Sequence, residues 1–260
     1  MLFPPLSRPV PTAEDGPAVT VGGVGLRRSE LLGASTAVAE RLLGLGVRGP
    51  LAVWAGPELS TVVGLVGALR AGVPVVPVGP GDVAAAKDVQ AWLGGPPDVV
   101  GAGSGLPTVP VRVHARGWHH IPEPPLDAVA LVSGDVPFTR RAMADYTDGV
   151  AAGWGWTDAD TVVSALPLSG ATALALGLVA PMRVGSALVH VAEGRLPAGS
   201  LYLGDASFYT WAAADPLAVQ ALQEARVLVS TDAVPLTVAQ QVRDRTGHDV
   251  AVAPGLTDPA

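Results

Sequence analysis

The sequence predicts an α/β protein of two similar layered subdomains, each with a mostly parallel sheet flanked by helices. Three observations lead there. Short β-rich runs alternate with stretches whose apolar residues recur at helical spacing, the pattern of strand–helix–strand units. LAVWA (Leu51–Ala55) is apolar throughout, as a strand covered on both faces should be. Gly 32 and Pro 25 among 260 residues are scattered between these runs, so they act as turns and not as low-complexity sequence.

The elements follow in order. A hairpin is expected over Ala18–Arg28. Ser29 suits the N-cap of a helix through Leu31–Gly46, with Gly44 or Gly46 as its stop. Strand Leu51–Ala55, helix Glu58–Ala71 and strand Pro74–Val78 form the first crossover unit, with Leu59, Val62, Val63, Val66 and Leu69 on one helix face. A helix over Val83–Leu93 and a short strand near Asp98–Val100 come next. A Gly/Pro-rich link over Gly101–Pro125 contains a strand at Val109–Val113, and PEPP (Pro122–Pro125) marks a boundary, which divides the chain into subdomains 1–125 and 126–260. The second subdomain reads as strand Ala128–Val132, helix Arg140–Gly153, strand Thr161–Ala165, helix Ala171–Pro181 and strand Ala187–Val191. Strand Leu201–Leu203, helices within Ser207–Ala225, strand Val227–Ser230, helix Pro235–Thr246 and strand Asp249–Ala253 complete it. Ligands of open parallel sheets sit beyond the carboxyl ends of the strands, so chemistry is sought just after each strand.

Composition removes several classes of function. Sixteen Lys and Arg against twenty-three Asp and Glu leave a net charge of −7 at pH 7, which opposes binding to nucleic-acid phosphates. The absence of Cys excludes disulfides, thiolate catalysis and Cys-based zinc sites. Fifteen of the sixteen basic residues are Arg and the single lysine is Lys87, so a mechanism needing two catalytic lysines is excluded. The start, MLFPPLSRPVPTAEDGP, has no basic stretch followed by an apolar one. Runs such as Val62–Ala71 are too short to span a bilayer. The expectation is a cytoplasmic protein that binds neither membrane nor nucleic acid.

Four segments carry a family likeness. LAVWAGPELSTVVGLVGALRAGVPVVPVGP (Leu51–Pro80), WGWTDADTVVSALPL (Trp154–Leu168), ARVLVSTDAVPL (Ala225–Leu236) and PGLTDP (Pro254–Pro259) occur in an order and spacing that resembles the large domain of the adenylate-forming superfamily. That superfamily holds acyl-CoA synthetases, peptide-synthetase adenylation domains and luciferases, and the likeness is strongest to bacterial malonyl-CoA synthetases. The resemblance implies a large domain that lacks the mobile lid domain and its catalytic lysine. It also sets what to expect at each motif. The family's phosphate loop, a Ser/Thr/Gly-rich stretch with a lysine, cradles phosphates through backbone N–H groups. Here the matching stretch reads Val132-Ser133-Gly134-Asp135-Val136-Pro137-Phe138-Thr139, in which only Ser133 and Gly134 match and Asp135 brings a negative charge. The family's histidine stretch is replaced by Leu168-Ser169-Gly170-Ala171-Thr172, and its Gly-Val-Pro-Thr stretch by Gly204-Asp205-Ala206-Ser207. Its Gly-Met-Thr-Glu motif, which serves nucleotide and magnesium, survives as Gly255-Leu256-Thr257-Asp258. Losing one donor that stabilises developing charge typically lowers a rate on the order of 10²–10³-fold. With several such groups replaced, ATP-dependent ligation is not expected, and neither a cofactor nor a metal is assigned.

Asp135, Asp205, Asp232 and Asp258 each follow an expected strand, so they are candidates for one crevice. Close carboxylates drive each other's pKa apart, giving an acid and a base for proton transfer or a site for a cationic ligand. Asp equally suits turns and helix N-caps, whose N–H groups it accepts. His190 ends a strand on the same edge and is a candidate proton shuttle, with a satisfied core histidine as the other reading. Asp135, Asp205 and His190 thus form the candidate catalytic set, and Ser133, Gly134, Tyr209, Asp232, Thr257 and Asp258 the candidate substrate contacts. In GDASFYTW (Gly204–Trp211), Tyr209 and Trp211 can grip an acyl or aryl group, while Phe208 and Trp211 also fit the buried face of a helix. His119 and His120 point opposite ways on an extended segment and read as surface residues. Trp54, Trp92, Trp154 and Trp156 read as core.

Two functions follow. In the first, a remnant pocket binds, and by acid/base chemistry transforms, a small acyl- or amine-bearing metabolite in the specialised metabolism of a high-GC bacterium. In the second, the chain is a non-catalytic scaffold that dimerises or binds an active biosynthetic enzyme through exposed apolar surface.

Overall fold

The structure, a computed structural model, describes residues 1–7, 16–79, 86, 88–95, 105–191 and 194–257. Thirteen described strands form two sheets. In the six-stranded sheet the order is β6 (Thr108–Val109), β5 (Ala91–Leu93), β3 (Leu51–Trp54), β4 (Val75–Val78), β7 (Val129–Ser133) and β8 (Val136–Thr139). The seven-stranded sheet runs β13 (Val250–Val252), β12 (Val227–Ser230), β11 (Leu201–Gly204), β9 (Thr161–Ser164), β10 (Ala187–His190), β1 (Pro17–Val21) and β2 (Val24–Arg27). Each sheet is parallel except for the return arm of one hairpin at its edge, β8 on β7 and β2 on β1. The fold class read from the sequence is the fold observed.

Neither sheet is made from one side of residue 125 alone. The β1–β2 hairpin pairs with β10, matching Val19 to Leu188 and Val21 to His190. Conversely, β7 pairs with β4 through Val75 and Leu131. Strand residues alternate between faces: Val162, Leu188, Leu201, Leu203 and Val229 enter the large central core, and Val163, Tyr202 and Leu228 a second one. Between the sheets lie α1 (Arg28–Gly44) and α2 (Leu59–Ala71), packed on each other, with α1 also on β1 and β2 and α2 on β3 and β4. Helix α3 (Arg140–Gly153) and the continuous helix α4 join them; α4 comprises Ala171–Leu174, a wide π turn over Ala175–Val179, and Ala180–Val184. On the other face of the seven-stranded sheet pack α5 (Ala206–Ala214), α6 (Pro216–Gln223) and α7 (Leu236–Thr246).

Several expectations need correction. Helix α1 begins one residue before Ser29, with Arg27 as its N-cap, and Glu30 Oε2 accepts the Arg27 N–H at 2.8 Å. Val83–Leu93 is not a helix where it is described: Ala91–Leu93 is β5, hydrogen-bonded between β3 and β6. Gln90 Oε1 accepts the N–H groups of Arg48 and Gly49, and Trp92 is buried against the sheet, so tertiary contacts override the helical pattern. Residues 80–85 and 87, with Lys87, lie outside the described residues, as does the strand expected near Asp98–Val100. The Val109–Val113 strand shrinks to Thr108–Val109 because Pro110 has no N–H to extend the ladder. The stretch expected to be a loop includes β8, an edge strand, where Pro137 is tolerated. Trp92 and Trp156 are buried, whereas Trp54 and Trp154 are only half-buried.

Candidate functional site

The stretch expected to be a phosphate loop is a tight hairpin. Ser133 and Val136 are directly paired across β7 and β8, which leaves Gly134 and Asp135 alone in the turn. Gly134 has φ +60°, the left-handed conformation that a two-residue hairpin turn needs. Such a turn presents two peptide N–H groups at most and no cradle. Ser133 is half-buried, and Asp135 is exposed at the tip with no hydrogen bond to any described residue.

At the adjoining ends of β11 and β12, Asp205 and Asp232 do come near one another. Asp205 is the N-cap of α5: Oδ1 accepts the Phe208 N–H at 2.7 Å and the Ser207 hydroxyl at 2.6 Å. Asp232 accepts from the Thr231 hydroxyl at 2.8 Å and distantly, at 3.5 Å, from the Ala206 N–H. Both carboxylates therefore satisfy local turns, the bland reading of such residues, while sharing one sheet edge. Thr257 is exposed on a segment tied down by Tyr146, whose hydroxyl donates to Pro254 O at 2.7 Å, and by the Leu256 N–H, which donates to Thr172 Oγ1 at 3.0 Å. Asp258 lies outside the described residues. Among the described residues, no group of three His, Cys, Asp or Glu is placed to hold a metal ion.

Tyr209 does not reach a pocket. It is fully buried, with its hydroxyl 3.0 Å from both Tyr202 O and Val229 O, and burial pushes its pKa far up. The helix turns its neighbours outward instead. Phe208 and Trp211, 5.9 Å apart between ring centroids, line a cavity of about 560 Å³. Ala165 and Val191, the residues just past β9 and β10, form its sheet side, and Leu196 and Leu217 add further apolar surface. Arg195 is the cationic residue of the lining; it is exposed and makes no ion pair with a described residue. Asp215, the one carboxylate among the described lining residues, is held by capping α6, accepting from the Leu217 and Ala218 N–H groups at 2.8 and 2.9 Å. This cavity obeys the strand-end rule and is mostly apolar, as small-molecule sites are. Arg195 is not among the residues the sequence singles out; its place after β10, at the carboxyl edge of the sheet, is the signal that could have found it.

His190 faces the other way. Strand alternation puts it on the side of Leu188, towards the central core, while Val191 faces the cavity. It is 6% exposed, its Nδ1 has no hydrogen-bond partner among the described residues, and burial lowers its pKa.

No family model matches the sequence, and no curated protein does. Solved structures do. A malonyl-CoA ligase, seen as a ternary product complex with methylmalonyl-CoA and AMP, is 32% identical, with TM-score 0.79 over 95% of this chain. Its fold is that of the adenylate-forming large domain. MatB from Rhodopseudomonas palustris superimposes with TM-score 0.80 over 98% of the chain at 16% identity, and VinN with 0.75 over 92% at 19% identity. The chain spans 59% of the length of the malonyl-CoA ligase and of MatB, and 70% of VinN. Among its described residues no helix is long and apolar enough to cross a membrane.

Proposed function

We propose that this chain binds a small acyl acid or its thioester in the strand-end cavity and does not activate it with ATP. The observation that carries the reading is the Gly134–Asp135 turn. Where the resemblance calls for a loop of N–H donors and a lysine, the chain has two residues and an exposed carboxylate, which repels a triphosphate. The cavity supports the other half: it is about 560 Å³, apolar along Val191, Leu196 and Phe208, with Arg195 exposed in its lining and ion-paired with no described residue, as a partner for a carboxylate. Methylmalonyl-CoA in the malonyl-CoA ligase and L-aspartate in VinN are carboxylate ligands of the same class.

Thermal unfolding with each ligand separately tests this. A ligand at 100 times its Kd adds about 2.7 kcal/mol, and small dicarboxylic acids or acyl-CoA thioesters should raise the midpoint by several degrees. Mg-ATP should leave it unchanged, and Arg195→Ala should abolish the acid's effect. Acid-dependent ATP–pyrophosphate exchange, or a shift with Mg-ATP alone, would sink the reading. Amines probe the Asp205–Asp232 edge in the same series; a shift with amines only would move the site there.

A second reading has its own observation. Leu217, Leu236 and Val252 are 54%, 89% and 55% exposed on α6, α7 and the edge strand β13. Such a surface suits a scaffold covered by a second copy or by a biosynthetic enzyme. A protein that shifts with no ligand and sediments as a dimer or in a complex would favour it.

A further inference from the structure

A second cavity, of about 710 Å³, shares no lining residue with the strand-end site. It lies between the first half of α1, Arg70 of α2 and the segment 113–121. That segment is seated on α1 by two devices. Gly117 approaches the helix so closely that a Cβ there would sit 2.4 Å from Ala37 N, and its N–H donates to Gly33 O at 2.8 Å. Glu40 Oε1 accepts the N–H groups of Trp118 and His119 at 3.0 and 2.7 Å and meets His119 Nδ1 at 2.8 Å.

The charge there runs against that of the whole molecule. In a chain whose net charge is −7 with histidines neutral, Arg70 and Arg116 line one cavity together with His114, His119 and His120; among the described residues the carboxylates beside them are Glu30, which accepts the Arg27 N–H, and Glu40, which is taken up by His119 and the 118–119 backbone. Arg70 is half-buried and ion-pairs with no described residue. One of its nitrogens, Nη1, donates to Ser35 Oγ at 2.9 Å, to Thr36 Oγ1 at 2.7 Å and to Leu32 O at 3.2 Å. Arg70 feels the charge of Glu123, which is already engaged: its Oε1 accepts from Arg140 at 2.6 Å and from the Leu2 N–H at 2.8 Å, and Arg140 is 1% exposed. Two desolvated guanidiniums therefore share one carboxylate. A partly buried cation whose counter-charge is shared is costly unless something anionic also meets it.

We infer that this cavity is a binding site for an anionic small molecule, whose carboxylate or phosphate lies between Arg70 and Arg116 and whose body rests on Leu32, Val113 and Ile121. The volume is that of a site for a drug-sized ligand. The inference is independent of the reading of the strand-end cavity.

Amide NMR titrations at constant ionic strength test it, using inorganic phosphate, pyrophosphate and malonate against chloride as control. Saturable shifts are expected at Gly33, Gly117 and the Trp118 indole, with at least one of the three anions. Arg116→Ala, at an exposed side chain with no hydrogen bond to a described residue, should weaken the binding at least tenfold while leaving the remaining spectrum folded. Arg70→Lys, which keeps the charge, should weaken it less than Arg70→Gln. Phosphate and pyrophosphate acting without malonate would identify a phosphate ligand, and the reverse a carboxylate. Shifts that chloride reproduces, shifts confined to residues near Arg195, or binding unaffected by Arg116→Ala would overturn the inference.

Discussion

His190 shows how one residue's chemistry is decided by what surrounds it. Its place at the end of β10 makes it a candidate proton shuttle in sequence; strand alternation instead turns it to the side of Leu188 and the central core, with Nδ1 unpartnered among the described residues. Burial lowers its pKa, because the imidazolium would lose its hydration. A folded-state pKa below the unfolded one means that the unfolded chain binds more protons, so this group's contribution to stability is present above the ordinary histidine value of about 6.5 and is lost as pH falls below it. Chemical denaturation between pH 7.5 and 5 should therefore show stability falling with pH, and His190→Leu should flatten that slope. An unchanged slope in the variant would mean that the imidazole is hydrated in solution.

At the scale of elements, two aspartates that look alike in sequence have different work. Asp205 caps α5 and holds Phe208 at the cavity, whereas Asp135 sits free on the tip of the β7–β8 hairpin. Asp205→Ala should cost about 0.5–2 kcal/mol, the usual loss for an N-cap, while Asp135→Asn should stay within about 0.5 kcal/mol. Urea unfolding of both variants checks the contrast; equal losses would show that Asp135 is structurally engaged. The same hairpin explains the missed strand: Pro137 argues against a strand in sequence, and only an edge position, unknown before the sheet order, allows it.

At the scale of the molecule, the two hairpins stitch the halves together. β1–β2 borders the sheet made otherwise of strands after residue 125, and β7–β8 borders the sheet made otherwise of strands before it. One continuous core, from Leu31 and Val66 to Leu174 and Leu203, fills the space between them. The expected consequence is a single cooperative transition. Far-ultraviolet circular dichroism, and fluorescence from Trp92 in one sheet and Trp156 beside the other, should report the same midpoint. Two separated transitions would show that the sheets unfold independently in spite of the exchange.

Local patterns were sufficient where the local signal and the tertiary outcome agree. The α3 span Arg140–Gly153 and the β12 span Val227–Ser230 were legible to the residue, since helical period, caps and β-branched runs act over a few neighbours. So was the family likeness, because it lay in the order of whole segments. The sequence also placed Asp205 and Asp232 at one strand edge, as the strand-end rule requires. Contacts between distant residues decided the rest. Gln90 bonding to Arg48 and Gly49 made a strand out of a helical pattern, strand alternation turned His190 away from the cavity and Val191 towards it, and the phase of α5 buried Tyr209 while leaving half-buried Phe208 and exposed Trp211 to line the cavity. Which side of a strand or helix meets the core depends on what packs there, and that information is carried by the partner segment and not by the one being read.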